Sequence, residues 1–457
     1  MMRHTIVIVG AGFSGTVLAA NLLRRPPSGA TDIVLIERGA EMGRGVAYAA
    51  REFPYLLNVP AGRLSADSHE PEQFLRYAQR RLAKAGSEDF LPRAVYGDYL
   101  QDVLLEAERA APPQARLMRQ FGEVRRIARR GEQALTVEFA NGAAIAADRV
   151  ILALGNPPSP LPPWAADVRN HPAYRHDPWD LPKTLTAQHS VLIVGNGLTM
   201  ADAALALSHD PGCAPMLHTI SRRGLIPLAQ TPFRPLAVQG DGEALLACAH
   251  SIRRVLSTSR ALAREVESLG GDWREVVTFI RNWAPALWGR LPEAERRRFV
   301  RHLQGYWDVH RHRLPPNLSE RIAHLRGGGK LQVNAGRILD VAALGGRLRV
   351  LWRPRGRETT ATLWADLVIN ATGPDYALNR SSDPLINSLR ATGLVLEDAL
   401  HLGLRTGRHG ACVDAQGNAS ERVFYLGPML RADHWETTAA TELRDHAERL
   451  AAHLAAR

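Results

Sequence analysis

Apolar positions along this chain follow two rhythms. Near the start, residues 5–9 form a continuous β-branched run, the pattern of a strand buried on both faces. It runs directly into Gly10, Gly12 and Gly15, and the small and apolar residues 16–23 follow as a helix. The same order recurs at residues 190–202, SVLIVGNGLTMAD, where a strand meets Gly195 and Gly197 and a helix follows; Met200 stands where the first motif has Gly15. Two further apolar runs end in glycine, 150–155 and 366–373, and each is expected to close the back of one dinucleotide sheet.

The helical rhythm predicts helices over 70–85 and 96–110, and over 243–256, 260–269, 273–281 and 292–313 inside an insertion spanning 241–313. Alternation predicts a small antiparallel meander over 123–128, 134–139 and 143–145, and later strands over 331–333, 338–343, 347–352 and 358–363. An amphipathic helix is expected to run to residue 456, opened by Asp433 and Glu436 at capping-box spacing. These elements predict an α/β chain: two Rossmann-like, three-layer dinucleotide-binding domains with antiparallel meanders and a helical insertion. Residues 1–165 and 331–457 are expected to form a discontinuous first domain, and 186–330 the second.

The glycine turns carry the first chemistry. Gly10 permits the turn, Gly12 lets the backbone approach a pyrophosphate, and Gly15 lets helix and strand pack closely. The helix start, with Phe13 and Ser14, offers N–H groups and a positive dipole end to phosphates. Glu37 closes the strand 33–36, beside Arg38, where an acid binds a ribose hydroxyl. The second site is assigned Gly195, Gly197, Leu198 and Thr199, with Arg222 and Arg223 ending the strand 216–220. Arginines there suit a 2′-phosphate, which favours NADPH over NADH, although two solvated arginines on a turn would read the same way. At the end of the insertion lies YWDVHRHR, residues 306–313, from which His310, Arg311 and Arg313 are candidate anchors for an anionic substrate. On one continuous helix Arg311 and Arg313 would point about 200° apart, and a basic helix end meeting its own carbonyls is the alternative.

Composition narrows the function class. The 457 residues carry 57 Lys and Arg against 46 Asp and Glu, a formal charge of +11 that comes mostly from scattered arginines. That balance suits anionic small molecules, or is a compositional bias, and no basic, aromatic-interleaved platform points to nucleic acid. The three cysteines, Cys213, Cys248 and Cys412, are far apart and form no CxxC, which argues against a disulfide framework, a metal site and a redox dithiol, and makes the cytoplasm the expected compartment. No apolar stretch is long enough for a membrane span, and the run after Arg3 is better read as the first strand than as a signal peptide.

Taken together, GAGFSG with Glu37, GRGVAY, LLNVPAGRLSA, GNGLTMAD, SRRG, YWDVHRHRLPP, INATGP and GPMLRADHWETTA resemble the FAD/NAD(P)-binding flavoprotein family that includes the bacterial FAD-dependent urate hydroxylases of the HpyO type. A relative in that family N-oxidises aspartate to nitrosuccinate. The resemblance covers nearly the whole chain. It implies FAD on the first unit, with Asn58 and Gly427 joining the glycine turn, and NADPH or NADH on the second; Val59, Gly373, Glu436, Thr437 and Thr438 complete the cofactor-binding candidates. It also implies a monooxygenase: NAD(P)H reduces FAD, O2 adds at the flavin C4a, and one oxygen atom passes to a small substrate. Urate, giving 5-hydroxyisourate, is the first expectation. N-hydroxylation of an amine or amino acid is the alternative, and a low-turnover flavin sensor or electron-transfer reductase is a third reading of another class. His176 and Trp179 have two residues between them, whereas the Baeyer–Villiger fingerprint has three, so that chemistry is not supported. The residues single out no acid–base catalyst and no oligomeric state.

Overall fold

The computed structural model describes residues 3–131, 134–182, 185–210, 212, 214–231 and 242–456. Cys213 and the first residue of the predicted insertion, Asp241, lie outside the described residues. The chain divides into two units: Met1–Pro157 with Ala284–Gly289 and Tyr376–Arg457, and Pro158–Trp283 with Arg290–Asp375.

In the first unit the strand His4–Val9 lies between Thr31–Glu37 and Arg149–Leu152, parallel to both. Ala115–Phe121 extends the sheet beyond Thr31–Glu37, and Ala419–Tyr425 and then Ala411–Val413 extend the other side. The register sets Val9 opposite Ile36 and Leu152, and Leu152 opposite Tyr425. Gly10, Glu37, Ala153 and Leu426 therefore all leave the sheet at one carboxyl edge, where open α/β sheets bind ligands. The helix Phe13–Arg24 packs against Arg93–Arg109 and Ala440–Ala455. The meander Val124–Arg130, Ala134–Phe139 and Ala144–Ala147 packs on His4–Val9 and Arg149–Leu152. Ile6, Ile8, Leu18, Leu22 and Leu23, each at most 1% exposed, fill the core between.

The second unit repeats the plan. Ser190–Val194 lies between Met216–Ser221 and Leu367–Asn370, all parallel, with Tyr174–Arg175 at one edge. Leu331–Leu344 serves two purposes. Its first half pairs in parallel with Met216–Ser221, and its second half turns antiparallel against Arg347–Pro354, which pairs in turn with Ala361–Ala365. The domain boundary read from the sequence is therefore corrected. Residues 331–375 belong to the second unit, because their strands hydrogen-bond to its nucleotide-binding sheet, and residues 158–185 join it through the edge strand.

The helical insertion also differs from the expectation. The helix Ile252–Ser268 starts anew after an extended Ser251, and Glu295 Oε2 accepts from Ile252 N at 2.9 Å to cap it. The predicted helix over 292–313 is three pieces: Glu293–Arg298, a π-helical turn Phe299–Leu303, and Gln304–Arg311.

One pair of rings in the first unit makes stability depend on pH. His446 faces His434 at 5.3 Å between ring centroids, and burial, helped by Arg449 and His434, pushes the His446 imidazole down to about 3. His434 is lowered as well, by burial first. The His446 ring stays neutral in the fold where the unfolded chain takes up its proton, below about pH 6.5, and His434 shifts in the same direction. The stabilisation is present above that pH and is lost as pH falls. Urea unfolding is expected to show a loss of about 1 kcal/mol between pH 7 and 5, discounted for partial exposure, and His446→Gln should flatten that slope.

Candidate functional site

The two glycine turns are built alike. Gly10 has a φ of +105°, and a Cβ there would lie 2.3 Å from the Ala153 carbonyl oxygen. Gly195 has a φ of +115°, and its Cβ would lie 2.2 Å from the Ala371 carbonyl oxygen. Each turn crosses the backbone just as it leaves the returning strand, so the strand and the glycine require one another. A Cβ at Gly15 would sit 1.9 Å from the Gly10 carbonyl oxygen; Met200, fully buried, takes that place in the second turn.

Both helices that follow begin without a cap. Gly12 and Gly197 are extended N-cap residues with no side chain to cap the helix, and neither first turn contains an acid. The positive ends of the two helices, at Phe13 and Ser14 and at Leu198 and Thr199, are thus left to an anion, as pyrophosphate binding requires.

Around the first turn the side chains are braced. Glu37 Oε2 accepts from Ala11 N at 3.0 Å and Oε1 from Gly39 N at 2.9 Å. Each carboxylate oxygen keeps a lone pair for a ribose hydroxyl. Arg38 turns away and pairs at 3.6 Å with Asp383. Gly45 approaches Gly12, a Cβ on Gly45 lying 3.2 Å from the Gly12 Cα, and Arg44 fastens that loop through Asp98 and through Glu41 at 2.8 Å. Asn58 is exposed on a loop held by Leu57 N to Leu91 O and Ala61 N to Asp89 O, while Val59 packs on the core.

The C-terminal segment corrects the capping-box expectation. The helix begins at Ala440, not at Asp433, and its N-cap, Ala439, makes no side-chain bond. The Asp433 carboxylate is taken by Thr406, accepting from its N at 2.7 Å and its Oγ1 at 3.1 Å. Gly427 leads instead into a 3-10 turn, Pro428–Ala432. Glu436 and Thr437 are buried in the turns that follow; Thr437 Oγ1 donates to His434 O at 2.5 Å, and Thr438 N to Glu436 O at 2.8 Å. Gly373 follows Leu367–Asn370 in the second unit, two residues after the Ala371 that meets Gly195. The sequence reading missed Arg431, whose guanidinium lies over Tyr376 at 4.9 Å and over Trp435 at 4.4 Å, with Trp288 4.7 Å from Trp435.

In the second unit the register gives a residue-by-residue match. Gly10 N donates to Ile36 O and Gly195 N to Ile220 O, each at 2.9 Å, so Ser221 stands where the first unit has Glu37. Its hydroxyl accepts from Gly224 N at 3.0 Å. Of the two predicted phosphate ligands, Arg222 is exposed. Arg223 is engaged elsewhere: its Nη2 donates to Arg301 O at 2.9 Å and His302 O at 3.2 Å on the π-helical turn.

Of the predicted anchors, His310 and Arg313 lie against Trp273, and Arg311 is close enough to act on the Arg313 charge. The helix ends at Arg311, so Arg313 escapes the 200° divergence expected of a continuous helix and returns across the insertion. His310 meets the Trp273 ring edge-on at 5.0 Å; Arg313 lies 5.9 Å and Arg274 4.4 Å from the ring centroid. Gln230 Oε1 accepts from Arg313 Nε at 2.5 Å, and Asp272 pairs with Arg274 at 2.7 Å. Burial, then Arg274, Arg311 and Arg281, push the Arg313 guanidinium down to about 10, with Asp272 alone opposing. Its Nη1 is buried with no partner among the described residues. A half-buried cluster with this much excess positive charge is a place for an anion. Trp273, Arg274 and Gln230 were missed because they lie far from residues 310–313 in sequence.

Against known proteins, a family model described as FAD-NAD(P)-binding matches residues 7–157. No curated protein sequence matches the chain. Among solved structures it is similar to ornithine hydroxylase from Pseudomonas aeruginosa in its reduced form, with a TM-score of 0.62 and 16% identity over 100% of this chain and 99% of that one. It is similar to an FAD-bound cadaverine monooxygenase of the desferrioxamine pathway from Erwinia amylovora, with a TM-score of 0.65 and 16% identity over 100% and 95%. It is also similar to an ornithine N-hydroxylase from Kutzneria sp. 744, solved with reduced FAD, NADP+ and L-ornithine, with a TM-score of 0.62 and 14% identity over 99% of both chains. These likenesses establish the fold, two Rossmann-like dinucleotide-binding units. Among the described residues no helix is long and apolar enough to cross a membrane, and no cluster of His, Cys, Asp and Glu could hold a metal ion.

Proposed function

We propose that the chain is an FAD-dependent, NAD(P)H-consuming monooxygenase that N-hydroxylates a small amine bearing a carboxylate. The observation that carries the substrate class is the arginine cluster around Trp273, whose charge asks for an anion and whose guanidinium forks match a carboxylate. Amine N-hydroxylation replaces urate as the first reading because the similar solved structures act on ornithine and cadaverine.

FAD is assigned to the first unit and NADP(H) to the second. The Gly10 cradle admits no side chain, the helix start at Gly12 is uncapped, and Glu37 is held with lone pairs free, so the residues present fit the pyrophosphate and ribose of a resident dinucleotide. Ser221 and Arg222 in place of a carboxylate fit a 2′-phosphate. When bound, the flavin supplies the electron transfer and oxygen activation, with NAD(P)H and O2 as co-substrates. Arg313 holds the substrate carboxylate, His310 and Trp273 wall it, and Arg274, engaged by Asp272 and the Ala229 carbonyl, braces the wall. No residue is assigned as acid or base.

The test is direct. The purified protein should be yellow, and its NADPH oxidation should be stimulated by an amino acid that is recovered as a hydroxylamine or its oxidation products. Stimulation by urate with formation of 5-hydroxyisourate would return the first expectation, and a colourless protein that takes up no FAD would remove the flavoenzyme reading.

A further inference from the structure

The π-helical turn Phe299–Leu303 interrupts the helix that leads to the arginine cluster. Gln304 N bonds to Phe299 O, five residues back, so the turn holds one residue more than an α-turn. One residue of an α-helix is about 100° of rotation, so this turn sets which face Gln304–Arg311 presents. On that face His310 meets Trp273, its Nδ1 donating to Tyr306 O at 2.7 Å, and Val309 O accepts from Leu228 N at 3.1 Å. Such turns are rare, and what holds this one is Arg223, at the end of Met216–Ser221. Its Nη2 donates to two successive carbonyls of the turn, Arg301 O at 2.9 Å and His302 O at 3.2 Å, and its guanidinium lies 5.5 Å from the Tyr306 ring centroid. The same stretch of chain then reaches the cluster itself. Ala229 O accepts from Arg274 Nε at 3.2 Å and Nη2 at 2.9 Å, and Gln230 Oε1 accepts from Arg313 Nε at 2.5 Å.

We propose that Arg223 is a positioning residue for the substrate: it fixes the π-helical turn, and with it the phase at which His310 meets Trp273, and is not a ligand of the cofactor's 2′-phosphate. This rests on the reading of the cluster around Trp273 as the substrate site. A cationic donor to a carbonyl makes a stronger bond than a neutral one, and here one nitrogen spans two carbonyls, so the turn is pinned at two points. Without that hold, relaxation of the turn to an α-turn would rotate Gln304–Arg311 by about 100° and carry His310 off the Trp273 ring. The neighbouring arginines thus divide their work. Arg222 is exposed at the end of the nucleotide strand, while Arg223 faces the turn and acts on the substrate wall through it.

Calorimetric titration of the purified full chain with 2′,5′-ADP reads the phosphate site, and the KM of the amino acid that stimulates NADPH oxidation reads the substrate wall. Arg223→Met is expected to raise that KM about tenfold, the worth of one hydrogen bond to a charged group, with a smaller change in kcat, and to weaken 2′,5′-ADP by less than about twofold. Arg223→Lys, whose ammonium carries donors enough for both carbonyls, should recover most of the KM. A loss of 2′,5′-ADP affinity in Arg223→Met as large as the loss of substrate affinity would make Arg223 a phosphate ligand and overturn the proposal. So would a lowered Tm with kcat reduced and KM unchanged, the mark of an arginine that only supports the fold. Arg313→Met separates the two levels of the argument. If it raises the KM and Arg223→Met does not, the positioning role alone fails; if neither raises it, the substrate site itself lies elsewhere and the proposal falls with it.

Discussion

Gly10→Ala is expected to give a protein that no longer retains flavin, and Gly195→Ala one that keeps flavin but is no longer reduced by NADPH. The reason is the same at both sites. The added methyl would stand 2.3 Å from the Ala153 carbonyl oxygen in one case and 2.2 Å from the Ala371 carbonyl oxygen in the other, well inside contact distance and against backbone that no rotamer change can move. The φ values of +105° and +115° add strain of about 1–3 kcal/mol for any residue with a Cβ. The turn must then shift, and with it the helix start that meets the pyrophosphate. Visible absorption after gel filtration reads the first effect, and anaerobic mixing with NADPH reads the second. Circular dichroism separates a displaced turn from a lost fold. If Gly195→Ala were the variant that lost flavin and Gly10→Ala the one that kept it, the two cofactor assignments would have to be exchanged.

These turns were legible in the sequence because a backbone collision leaves only one residue type able to stand there, and because the strand that causes it, 150–155 or 366–373, carries its own apolar signature. Other features left weaker traces. The edge strand Ala115–Phe121 has only Ala115 and Leu117 buried and reads as polar. Leu331–Leu344 looked like two strands because it changes partner midway and carries a bulge between Ile338 and Asp340. The π-helical turn at Phe299–Leu303 leaves helical spacing nearly intact, so nothing marked where the phase of Arg311 and Arg313 would change. Asp433 has the composition of a cap, but Thr406, 27 residues earlier, takes its carboxylate. Arg431, Trp435, Trp288 and Tyr376 come from three segments and show no pattern in any one of them.

Arg313→Met should raise the KM for the carboxylated amine about a hundredfold, with a smaller change in kcat, while leaving flavin reduction by NADPH without substrate unchanged. Removing one partner of a desolvated, hydrogen-bonded charge pair costs about 2–5 kcal/mol of binding. Here the cation is held for that purpose: Gln230 fixes Nε at 2.5 Å, the Trp273 ring lies 5.9 Å away, and Nη1 is buried without a partner among the described residues. Stability should move the other way. Arg274, Arg311 and Arg281 all press on Arg313, and among the described residues Asp272 opposes them, so removing the charge relieves repulsion in the free protein. An unchanged or raised Tm alongside the lost affinity is therefore the signature of an anion site, whereas a structural arginine would lose stability on removal. Arg313→Lys keeps the charge but not the planar fork and should fall between the two. A KM indifferent to Arg313→Met would place the substrate carboxylate elsewhere, and the arginine cluster would lose its role in the proposed reaction.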